Sequence, residues 1–134
     1  MSKKQIKKTD KIVLVTKDSD LLNKAKRAFN GKVKLVVSDD WKTALEESNG
    51  TSLMVVDLMA TLHKPKRIAG YEEFAVAKMK HKSASKTKLV VIYPPEDYRL
   101  DAMVGWPNFV FAMLRKPLTL QDFKKIVNWI ELAS

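Results

Sequence analysis

A chain of 134 residues, 46% of them hydrophobic, is long enough to bury one sizeable core without covalent staples. Cysteine is absent, which removes disulfides, thiolate metal sites, iron–sulfur clusters and cysteine nucleophiles together, and fits a reducing compartment, so the expected location is the cytoplasm. A net charge of +10 draws acidic partners closer but says nothing about fold, and the lysines are spread along the chain as on a solvated surface, with denser groups at Lys3 to Lys11 and Lys78 to Lys88.

Met1 to Asp10 is polar and reads as a flexible basic leader, so the single domain is expected over 11–134. The apolar run that follows, Ile12-Val13-Leu14-Val15, is too short for a signal-peptide core, and no apolar stretch approaches the roughly 20 residues that span a bilayer. Membrane insertion is not expected.

Four apolar runs, Ile12 to Val15, Val33 to Val37, Leu53 to Val56 and Leu89 to Ile92, are nearly continuous rather than alternating. Such β-branched runs suit strands buried on both faces of a parallel sheet. A fifth, Phe109 to Leu114, is read as a strand from its length and from Pro117 beyond it.

Between the strands lie amphipathic patterns. Leu21, Leu22, Ala25 and Phe29 form a stripe with Ser19 and Asp20 as cap candidates and Gly31 as the stop. Trp41 to Ser48 follows the cap-like Asp39-Asp40, and Tyr71 to His81 carries Phe74, Ala75, Ala77, Lys78 and Met79. Glu96 to Met103 is a weaker helix, and the last runs from Leu120 to Ile130. Strand and helix thus alternate five times, which implies right-handed crossovers and a sheet covered on both faces. Function in such sheets sits beyond the carboxyl ends of the strands. The residues there are Thr16-Lys17-Asp18, Ser38-Asp39, Asp57, Tyr93-Pro94 and Arg115-Lys116-Pro117.

Asp57 at the end of the third strand and Lys116 before Pro117 at the end of the fifth, on this alternation, resemble the receiver domain of response regulators over about Lys11 to Leu132. The resemblance implies an α/β, flavodoxin-like three-layer sandwich with a five-stranded parallel sheet of order 2-1-3-4-5. It also implies a signalling module rather than an enzyme. Asp57 would be the phosphoacceptor and Lys116 the phosphate contact; an acidic pair after strand one would hold magnesium, and a hydroxyl residue would end strand four.

The departures bear on mechanism. Thr16 and Lys17 fall where the acidic pair belongs, and Asp18 lies one position late, so the metal site reads as degenerate. Magnesium wants oxygen ligands in near-octahedral geometry, which a lysine does not supply. Lys17 is expected to point its ammonium at Asp57, in the metal's place. Tyr93 stands where the family carries serine or threonine, and Met113 where it carries a switching aromatic. Gly70, thirteen positions after Asp57, is matched to the family's Asp-Gly turn, which makes Thr61 to Ile68 a basic insert. Partner docking and a tolerated surface insertion are both open readings of it.

His63 and His81 have no partner at metal-ligand spacing and are expected to be exposed, so no metal is assigned. No Gly-x-Ser-x-Gly, Gly-x-Gly-x-x-Gly or P-loop is present. Trp41 and Trp129 are expected in the core and Trp106 on the surface.

The favoured function is a receiver-like module that captures a signalling protein, an acidic one being a candidate, without magnesium-dependent phosphorylation and without a cofactor. By the resemblance its interaction face carries Tyr98, Arg99, Trp106, Met113 and Arg115. The alternative is a working phosphoacceptor fed by a histidine kinase, with magnesium as cofactor. A polyanion- or nucleic-acid-binding module driven by the basic leader and the Lys78 to Lys88 group ranks third, since neither a helix-turn-helix signature nor a basic aromatic strand face is present.

Overall fold

The computed structural model describes residues 10–64, 67–96 and 110–133, and the side chains of these up to 130. In chain order the elements are β1 (Lys11–Val15), α1 (Ser19–Phe29), β2 (Lys34–Ser38), α2 (Trp41–Glu46), β3 (Leu53–Asp57), a single turn α3 (Leu58–Thr61), α4 (Ala69–Lys80), a 3-10 turn (Ala84–Lys86), β4 (Lys88–Tyr93), β5 (Ala112–Arg115) and α5 (Leu120–Ala133). The strands make one parallel sheet in the order β2-β1-β3-β4-β5, as expected.

The continuous apolar runs have a simple cause. Successive residues of β1, β3 and β4 point to opposite faces, and both faces are covered. Ile12, Leu14, Leu53, Val55, Val90 and Ile92 pack with Leu21, Ala25 and Phe29 of α1 and Phe123, Ile126 and Ile130 of α5. Val13, Val15, Met54, Val56, Leu89 and Val91 pack on the other side with Trp41 and Leu45 of α2 and Tyr71, Phe74 and Ala75 of α4. Each such aliphatic side chain removed from water contributes about 1.5–3 kcal/mol. Trp41 is buried and Trp129 packs at the margin of the first group, against Phe111.

The helix ends refine the sequence reading. Asp18, rather than Ser19 or Asp20, caps α1, its Oδ1 accepting from the Asp20 and Leu21 amides at 3.0 and 3.1 Å. Asp40 caps α2 in the same way, and Gly31 follows α1 at a φ of +72°, where a side chain would be strained. Asp10 belongs to the fold and not to a leader: it is buried, its carbonyl accepts from Lys34 N and its carboxylate from Ser52 Oγ. β5 starts later than expected and runs through Arg115, with Phe111 N donating to Leu89 O just before it. Phe109 and the helix expected over Glu96 to Met103 fall, beyond Glu96, outside the described residues.

Two residues read from sequence as surface or turn are neither. Gly70 sits in the first turn of α4, where its bare Cα lies against the Thr61 carbonyl. His81 is half-buried, its Nδ1 accepting from the Ser83 and Ala84 amides at 3.2 and 3.1 Å, while the exposed His63 pairs with Glu73.

Lys78 is the other exception. It continues the α4 stripe of Tyr71, Phe74 and Ala75, is 3% exposed, and donates from Nζ to Thr87 O at 2.7 Å. Burial, and secondarily Lys88, pull its pKa down to about 8. Between about pH 8 and the ordinary lysine value near 10.5, the unfolded chain therefore binds more protons at this position than the folded one. Stability should rise with pH across that window, by about 1–3 kcal/mol. Urea denaturation at pH 7.5 and 9.5 checks this, and Lys78→Met should flatten the slope.

Candidate functional site

The rim at the carboxyl ends of β1, β3 and β5 gathers Thr16, Asp18, Asp57 and Lys116. One step beyond the Val15–Val56 pair, the register brings Thr16 beside Asp57. Thr16 Oγ1 donates to Asp57 Oδ2 at 2.8 Å and accepts from the Asp18 amide at 3.0 Å. Lys116, carried out of β5 and joined to Pro117 by a cis peptide, donates to the same Asp57 Oδ2 at 2.8 Å. Asp57 Oδ1 caps α3, accepting from Met59 N at 3.2 Å. The carboxylate is 1% exposed and receives three donors from three segments, as a buried charge requires.

Lys116 Nζ also reaches Asp18 Oδ2 at 3.0 Å, so one ammonium bridges two carboxylates. Its hydrogen bond, followed by those of the α1 backbone, holds Asp18 below the usual carboxylate range. Desolvation of Lys116 is outweighed by its bonds to Asp57 and Asp18, and its pKa is raised. Stability from Asp18 is therefore present above its ordinary value near 3.8 and is lost as pH falls through the lower folded value. Lys116 contributes below about 10.5 and fails only above it.

Lys17 does not do what was expected of it. It is exposed, and the cation on Asp57 is Lys116. Thr16 turns its side chain to the rim, and its neighbour in an extended chain then faces away. Asp18, read as one position late, returns to the rim because the chain bends there into α1, which it caps. The hydroxyl of Thr16 and the role of Asp18 as a second anchor were the features sequence reading missed; the Asp18-Ser19-Asp20 start of a helix was the available signal.

Tyr93 is buried, with its hydroxyl donating to Met113 Sδ at 3.0 Å and the Arg115 guanidinium over its ring at 5.4 Å from the centroid. Arg115 also donates to Pro94 O at 2.8 Å, and Met113 is 58% exposed. Tyr98, Arg99 and Trp106 of the expected interaction face lie outside the described residues. The Thr61 to Ile68 segment opens as the end of α3 rather than as an insert after a strand, and its Pro65 and Lys66 are likewise outside.

Thr16→Val keeps the shape but removes a donor to Asp57 and an acceptor for the Asp18 amide. The expected loss is about 1–3 kcal/mol in denaturant titration.

No family model matches the chain, and no curated protein matches it. Solved structures do. A chemotaxis-regulator-like receiver domain protein from Methanospirillum hungatei superimposes with a TM-score of 0.68 at 16% identity, over 93% of this chain and 96% of the other. The receiver domain of a sensor histidine kinase from Pseudomonas aeruginosa, which holds magnesium in its active-site cleft, gives 0.66 at 11% identity over 91% and 98%. The chain has the receiver fold. A structure of an adenylate cyclase from Rhodopirellula baltica also superimposes, at 0.71 and 19% identity over 93% and 89%, and likewise shares the fold. In this receiver fold, strand order and the positions of Asp57 and Lys116 at the strand ends agree with the sequence expectation.

The magnesium that such a cleft holds elsewhere asks for several oxygen ligands, commonly one or two carboxylates with waters and phosphate. Here the residues as arranged do not fit it. Oδ2 of Asp57 and Oδ2 of Asp18 both face the Lys116 ammonium, and Thr16 directs its proton, not a lone pair, at Asp57. Among the described residues, no group of three or more acidic, histidine or cysteine side chains is placed to hold a metal, and no helix is long and apolar enough to cross a membrane.

Proposed function

We propose that this chain is a non-enzymatic, receiver-type signalling module that works by binding a partner protein, with Asp57 held as a structural anion and not used as a phosphoacceptor. The observation that carries the reading is the bridge from Lys116 to both Asp57 and Asp18, with a threonine hydroxyl where a second acid would serve a metal. A transferring phosphoryl group needs its oxygens neutralised and its attacking carboxylate oxygen free. Asp57 offers an oxygen already bonded to two donors, in a setting where no divalent ion is accommodated. The exposed Met113 and the Arg115–Tyr93 stack beside it supply one part of a contact face on β5, and the net positive charge favours an acidic partner.

The test is titration with beryllofluoride or acetyl phosphate in the presence of magnesium, followed by intact mass and by amide shifts of Met59, Thr16 and Lys116. No adduct and no shift at these amides is the expected result. Stable modification of Asp57, abolished by Asp57→Asn, would overturn it in favour of a phosphoacceptor fed by a histidine kinase. That second reading draws on one observation, the convergence of Asp18 with Asp57 at the same ammonium.

A further inference from the structure

The sheet is covered on both faces, but its outer side at β2 is open. In the order β2-β1-β3-β4-β5, β2 is an edge, and among the described residues it pairs only with β1. Lys34 N donates to Asp10 O, and Ser38 O accepts from Thr16 N. The backbone groups of Lys34, Val36 and Ser38 therefore face β1, and those of Leu35 and Val37 face outward. We propose that this edge is a self-association surface, on which β2 of a second copy lies antiparallel and joins the two sheets into one across a two-fold axis.

The make-up of the edge suits a strand as its neighbour. Exposed edges are usually blunted by a proline, a bulge or a charge within the strand. The stretch Leu35-Val36-Val37 carries no proline or charge, and its register on β1 is unbroken. These three side chains are only half-buried, whereas the apolar residues of β1, β3 and β4 are buried. Leu35 lies at the margin of the core under α1 and α5, and Val36 at the margin of the core under α2 and α4. A second sheet added here covers apolar surface on both faces while it satisfies the outward N–H and C=O groups.

Charge selects the occupant. The edge runs Lys32-Val33-Lys34-Leu35-Val36-Val37-Ser38-Asp39-Asp40, basic at one end and acidic at the other. Antiparallel pairing centred on Val36 sets Leu35 of each copy against Val37 of the other, the residues whose backbone groups point outward, so each such pair exchanges both its N–H···O bonds. The same register brings the Lys32 and Lys34 end of each copy against the Asp39 and Asp40 end of the other. Among the described residues none of these four charges is held in an ion pair. The acidic end is fixed in place, with Ser38 Oγ donating to Asp40 O at 2.8 Å and accepting from Asp40 N at 3.0 Å. An extended segment of another protein needs the same polarity of charge to fit, and a second copy supplies it by symmetry. The contact face on β5 lies at the opposite edge, so each copy of the dimer keeps it open.

The experiment is sedimentation velocity of the full chain at about 0.15 M salt, where screening over roughly 8 Å damps the repulsion between two chains of net charge +10. A reversible dimer with a Kd of roughly 100 µM or tighter is the expected result. Lys32→Glu/Lys34→Glu and, separately, Asp39→Lys set like charges against each other and leave the Asp40 cap of α2 in place. Each should weaken the dimer at least about tenfold, and an equimolar mixture of the two variants should restore it. Mixing does not rescue a variant that has failed to fold, and an effect of net charge alone would make the less positive Lys32→Glu/Lys34→Glu chain associate more tightly than the parent. Hydrogen exchange at the Leu35 and Val37 amides should slow as the dimer forms. A parent chain that stays monomeric up to about 1 mM would overturn the proposal and leave the edge to a different partner. A mixture no better than the separate variants, or a dimer in which those two amides exchange at the monomer rate, would overturn it by placing the contact elsewhere.

Discussion

Lys116→Met should cost about 3–5 kcal/mol at neutral pH, because it strands the Asp57 carboxylate, 1% exposed, without its cation. Breaking a buried pair is expensive in a way that never having it is not. Lys116→Met combined with Asp57→Asn should therefore recover most of the loss, ending within about 1–2 kcal/mol of the parent chain. Urea denaturation of the parent, the two single variants and the double variant at neutral pH decides it. A double variant no better than Lys116→Met would show that Asp57 is not anchored as a charge.

Gly70→Ala should lose at least about 3 kcal/mol, although alanine is favoured over glycine in a helix by about 1 kcal/mol. The added Cβ would run into the Thr61 carbonyl, with His63 N at 3.0 Å and Leu62 Cα at 3.1 Å behind it. All three are backbone atoms, so no side chain can swing aside. Either α4 lifts from α3 or the loop between them is displaced, and Tyr71 and Phe74 next to Gly70 move with it. Thermal unfolding measures the loss, and a Tm equal to the parent's would show that the α3–α4 approach is not fixed.

These two sites show where sequence reasoning reached and where it stopped. The strands were legible because β1, β3 and β4 are covered on both faces, which leaves a continuous apolar run as their signature. Asp57 and Lys116 were legible because topology alone brings the ends of β3 and β5 to one rim. Lys17 was misplaced because two adjacent residues in an extended chain cannot both face that rim, and charge made Lys17 the more conspicuous of the two. Register favoured Thr16 instead. Gly70 was misread because one residue type serves both positive-φ turns and close backbone contacts, and only the fold distinguishes them. Lys78 was placed both on the stripe of its helix and in the solvated Lys78 to Lys88 group; the structure buries it, and nothing local announces that its ammonium will find the Thr87 carbonyl.

Asp57 touches residues from strand one, the turn after strand three and the strand-five exit, and through Lys116 it reaches the cap of the first helix. Such a carboxylate behaves as a common knot for four stretches of chain that otherwise meet only through the sheet. None of these four stretches can move away from the others without breaking or carrying along at least one of these bonds.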